Sequence, residues 1–155
     1  METSKSKYNN KVITWSKIAT ILFIALVAVC DATALISAKY ICYCYVDRFD
    51  AAAQWIIASA IWAGTIAGYV VLINMYKLLT NMSKDVVFEK VNTKLMNIIF
   101  WGLIGAGVCA LIGCIVWLEA IVFTAIAWFI ALVVLAVKIC FDKAIAMKEE
   151  LDLTI

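Results

Sequence analysis

Asp31 is the one acidic residue well inside an apolar run of this 155-residue chain. A carboxylate in hydrocarbon is costly, so it turns towards other helices or a wet cavity and takes a partner there. Two roles follow. It is a ligand or proton site opening outward, or a paired carboxylate that fixes the rotation of its helix, with Lys39 or Arg48 reaching it through the outer loop. Asn74 and Asn97 sit about a turn inside the ends of the second and third apolar runs expected to face the cytoplasm. Side-chain hydrogen bonds at such places are worth about 1 kcal/mol, which makes the pair structural clamps, with ligand contact as the alternative. Cys42 and Cys44 form a Cys-x-Cys pair in a segment expected to lie outside the membrane, where oxidation is possible. A partner disulfide, a redox sensor and plain membrane-edge cysteines all remain open. Lys138 and Asp142, four apart on a helix, share a face and suit an ion pair at the membrane boundary.

Composition limits the chemistry further. The chain contains no histidine, which removes the usual general base and histidine metal sites, and no second cysteine pair completes a zinc set. No nucleophile–base pair or phosphate-binding glycine loop is present. The expectation is no catalytic residue, no metal and no cofactor. The net charge of +2 is too small for direct nucleic-acid binding.

Hydrophobic residues make up 66% of the chain and charged residues 15%, against roughly 45–50% and 25% in soluble domains. Lipid is the solvent that suits this balance. Crossing a hydrocarbon core takes roughly 20 apolar residues in a helix, and four runs satisfy that: 18–36, 51–76, 95–118 and 120–137. With flanks, the expected helices lie near 13–38, 52–79, 93–118 and 121–146, in a single domain over 1–155 with a C-terminal tail at 147–155. The N-terminus lacks a small-x-small cleavage site after a short apolar core, so the first run is read as a retained span.

The lysines give an orientation. Lys5, Lys7, Lys11 and Lys17, then Lys77, Lys84, Lys90 and Lys94, then Lys138, Lys143 and Lys148 fall on one side, against Lys39 and Arg48 on the other. That bias places both termini in the cytoplasm. The fold class is an all-α integral membrane protein, a four-transmembrane-helix bundle with N-in/C-in topology.

Small residues let helices approach in lipid. Ala60, Gly64 and Gly68 on the second span, and Gly102, Ala106, Ala110 and Cys114 on the third, repeat every four residues. They face each other within the bundle or form a homo-oligomer seam. Between those spans, Val87, Val91 and Leu95 share a helical spacing among charged residues, and Ser83 is a reasonable N-cap. Residues 83–94 are therefore expected to form an amphipathic segment on the inner membrane surface.

The stretch Val87-Phe88-Glu89-Lys90-Val91-Asn92-Thr93-Lys94, with phenylalanine, asparagine four residues on and basic residues before the third span, resembles the loop motif of the bacterial membrane family catalogued as domain of unknown function 2975. The ending Lys148-Glu149-Glu150-Leu151-Asp152-Leu153-Thr154-Ile155 is similar to that family's acidic tail closing in Leu-Thr-Ile or Leu-Thr-Val. The resemblance implies a protein of the bacterial cytoplasmic (inner) membrane and, from frequent gene neighbours in the family, a small helix-turn-helix regulator as partner, while the lack of catalytic motifs makes the expected protein non-enzymatic. The expected function is a sensor or regulatory anchor contacting that partner through Phe88, Asn92, Lys94, Glu149, Glu150, Leu151, Leu153 and Ile155. The alternative is a small transporter or ligand-binding subunit built around Asp31.

Overall fold

The computed structural model describes residues 2–45, 51–84 and 86–152. The described residues are helical apart from short connections: α1 (Glu2–Ala32), α2 (Ala34–Tyr45), α3 (Ala51–Met82), α4 (Lys90–Gly113), a 3-10 turn at Leu118–Ala120 and α5 (Ile121–Asp152). Four stretches are long and apolar enough to cross a membrane: Lys11–Ala32, Ala51–Met82, Lys90–Gly113 and Leu118–Leu151.

The helix was expected to give way to a loop at Lys39, but the backbone remains helical to Tyr45. The cause is a continuous buried face. Ala34, Ala38 and Cys42 recur every four residues and are fully buried, with Ala38 and Cys42 packing against Ala53, Ile57 and Ala58 of α3. Between α1 and α2 lies an irregularity at Thr33, across which helical bonds continue from Thr33 N to Val29 O and from Ser37 N to Thr33 O. The Thr33 hydroxyl donates to Val29 O at 2.8 Å, a back-bond of the kind that bends helices.

The helices form an open arc. α3 packs against α1, α2 and α4, while α4 packs against α3 and α5, and among the described residues no close backbone approach joins α5 to α1 or α2. Large apolar side chains such as Leu22, Phe23, Ile66, Phe129 and Leu132 point outward and are exposed, as suits lipid contact. Alanines take the closest positions inside: Ala34, Ala38, Ala58 and Ala131 have no exposed surface. A second packing centre of Leu78, Met96 and Ile99 ties α3 and α4 together, with Val134 and Phe141 of α5 against it.

The α4–α5 seam turns on Gly107. A Cβ there would collide with the indole of Trp128, and the Thr124 hydroxyl donates to Gly107 O at 3.1 Å. The small-residue stripes behave differently from a simple seam. Ala60 lies against Gly113, and Gly64 approaches Cys109, but Gly68 faces open space. Gly64, Gly68, Ala106 and Ala110 instead line an apolar groove of about 510 Å³ on the inner side of the arc.

Candidate functional site

Two polar constellations lie at different heights in this arc. The first surrounds Asp31, which is half-buried. Thr65 Oγ1 stands 2.9 Å from Asp31 Oδ1, and the same hydroxyl lies 2.8 Å from Trp62 O. A hydroxyl has one proton to give, so it is shared between those two acceptors. The Trp62 indole N–H donates to the main-chain carbonyl of Asp31 at 3.3 Å. Trp62, Thr65, Ile66 and Tyr69 follow the spacing of one helical face. With Ala28, Asp31 and Ala32, residues Trp62, Ile66 and Tyr69 bound a cavity of about 540 Å³.

Lys39 was an expected partner for Asp31. Because α2 stays helical, Lys39 sits eight residues further along the same helical path, about 12 Å away by axial rise. The actual neighbour is Thr65. Arg48, the other expected partner, lies outside the described residues. Thr65 was legible by depth alone: Asp31 is fourteen residues beyond Lys17, and Thr65 is twelve before Lys77, so both stand at similar heights above the lysine-rich end.

The second constellation is at that lysine-rich end. Residues 83–94 do not form the expected amphipathic helix, and Ser83 is not its cap. α3 ends at Met82 and α4 begins at Lys90, with Glu89 at its N-cap position making no side-chain capping bond. Asn92 explains the difference. Its side chain is fully buried, and its amide nitrogen donates to Val86 O at 2.7 Å and Val87 O at 2.8 Å. Its carbonyl oxygen accepts from Asn81 Nδ2 at 2.8 Å. The Asn81 backbone carbonyl meanwhile takes the N–H groups of Lys84 and Val86. A turn whose carbonyls are held this way cannot continue as helix, and it reverses the chain between antiparallel neighbours.

Asn92 thus shapes the surface from beneath, where it had been expected to form part of a partner contact. The expected clamp residues are placed differently too. Asn74 Nδ2 donates to Val70 O of its own helix at 2.7 Å, and Asn97 is exposed. The clamp between α3 and α4 is Asn81–Asn92.

The loop and the end of α5 come together here. Lys90 Nζ lies 2.7 Å from Glu149 Oε1, and the rings of Phe88 and Phe141 are 5.6 Å apart between centroids, tilted by 36°. Phe88, Glu89, Lys90, Val91, Ile145, Lys148 and Glu149 line a cavity of about 330 Å³. Lys94, Glu150 and Leu151 are exposed, whereas Leu153 and Ile155 lie outside the described residues. Lys17 Nζ reaches Ser83 Oγ at 2.8 Å, which ties α1 to the same end. Lys138 and Asp142 pair at 3.2 Å one turn apart.

Cys42 and Cys44 face different surroundings. Two positions apart on a helix they point about 200° apart, Cys42 into the packing against α3 and Cys44 outward.

A family model described as "Protein of unknown function (DUF2975)" matches residues 47–155, which include the whole loop-and-tail constellation. The chain belongs to this family. The matched region takes in α3, α4 and α5, so within the DUF2975 chain Asp31 falls outside it while Trp62, Thr65 and Tyr69 fall inside. No curated protein and no solved structure matches the chain.

Proposed function

We propose that this chain is a non-enzymatic regulatory anchor or sensor of the bacterial cytoplasmic membrane, multi-pass with both termini in the cytoplasm. Its lysine-rich end would then engage a cytosolic protein, a small helix-turn-helix regulator of the kind that family gene neighbourhoods imply.

The observation that carries this reading is the joining of loop and tail into one surface. Residues 53 and 59 positions apart in the chain converge there through Phe88–Phe141 and Lys90–Glu149. Phe88, Val91, Met147 and Leu151 remain exposed on it, among Lys94, Lys148, Glu149 and Glu150. Exposed apolar side chains ringed by charge suit a protein contact. Those at the middle of a span are explained by lipid, but these lie beside charged residues where lipid contact ends.

Removing residues 149–155 tests it. The truncated chain should insert into the membrane at normal levels and lose co-purification with the neighbouring regulator in mild detergent. Unchanged co-purification would sink the proposal.

A further inference from the structure

We propose that the cavity beside Asp31 binds a hydrophobic organic cation, entering sideways from the hydrocarbon. This inference is independent of the docking surface at the lysine-rich end.

The cavity combines a carboxylate with two aromatic rings, from Trp62 and Tyr69, and otherwise only Ala28, Ala32 and Ile66. Carboxylate oxygens attract a cation directly, and aromatic faces attract it through the ring quadrupole. Asp31 receives one shared hydroxyl hydrogen bond, from Thr65, and among the described residues no lysine or arginine pairs with it. An ionisable side chain at this depth is a functional-site signal. The volume of about 540 Å³ falls within the roughly 300–1,000 Å³ of small-molecule sites.

Its mouth tells where the ligand comes from. Ala28 and Ala32 are exposed, and Ile66 is 66% exposed, so the cavity opens on the outside of the α1–α3 pair and away from the inner groove. Fourteen residues separate Lys17 from Asp31, about 21 Å of helix rise. In a hydrocarbon core about 30 Å thick, that height lies short of the far headgroups. A lipid amine would stop above it. A cation with a large apolar body dissolves to that depth.

The probe is tetraphenylphosphonium, with the isosteric anion tetraphenylborate as control, added to the full chain in phosphatidylglycerol nanodiscs. Empty nanodiscs give the baseline. Tetraphenylphosphonium should show saturable binding at one per chain, and tetraphenylborate none. Asp31→Asn should weaken the saturable component at least tenfold. Tyr69→Ala, which leaves the carboxylate in place, should weaken it several-fold. Circular dichroism and Tm identify any variant that fails to fold, in which case the other carries the test. No saturable component in the native chain, equal uptake of the anion, or unchanged binding in a folded variant would overturn the proposal. Displacement of tetraphenylphosphonium by phosphatidylethanolamine in the disc would also overturn it, in favour of a headgroup amine.

Discussion

At the residue scale, the strongest local commitment is Asn92. Its amide closes three hydrogen bonds in a fully buried position. Asn92→Ala leaves two carbonyls and the Asn81 amide without this partner, at about 1–3 kcal/mol for each buried group left unsatisfied. A clear fall in Tm is expected. Asn92→Asp should be at least as damaging despite its similar shape, because a carboxylate cannot donate to Val86 O and Val87 O. Lys94→Ala, on an exposed side chain, should leave Tm within experimental scatter. Lys90→Ala should cost under about 1 kcal/mol, since exposed ion pairs contribute little. A large Tm loss in either lysine variant, or none in Asn92→Ala, would contradict this ranking. The sequence marked Asp31 through the rarity of a carboxylate in an apolar run. It did not mark the buried role of Asn92, because an asparagine in a charged loop looks the same whether it faces solvent or its own backbone.

At the element scale, the four apolar runs were plain from composition, since hydrophobic length is a one-dimensional property. Their ends were not. α2 extends helix six residues past Lys39 because Ala38 and Cys42 find Ala53, Ile57 and Ala58 on α3, a tertiary contact that local patterning does not contain. The 83–89 connection reverses for the same class of reason, being set by Asn81 and Asn92 from two different helices. The α4–α5 seam yields its own prediction. Gly107→Val puts carbon where the Trp128 indole lies, and overpacking of this kind costs about 1–3 kcal/mol. The variant should unfold at lower temperature, while Gly68→Ala, whose Cβ meets open space, should not. Equal Tm values for the two would refute this account of the seam.

At the scale of the whole molecule, the arc leaves α1 and α5 apart and sets the polar constellations at different heights on its walls. The small-residue stripes that sequence spacing offered as a seam prove to hollow a groove as much as to close one, a distinction that depends on which helix stands opposite. The unlike surroundings of two neighbouring thiols have a practical consequence. Cys44 is exposed at the end opposite the lysine-rich one, while Cys42 is sealed against α3, so the native chain carries its own orientation reporter. With the lysine-rich end in the cytoplasm, a membrane-impermeant maleimide added to intact cells should label the chain, and Cys44→Ser should abolish that signal. Cys140 is exposed too, at the lysine-rich end, so the experiment is run in a Cys140→Ser background. Labelling there that appears only after the membrane is breached would mean the opposite orientation, and the docking surface would then face away from any cytosolic regulator.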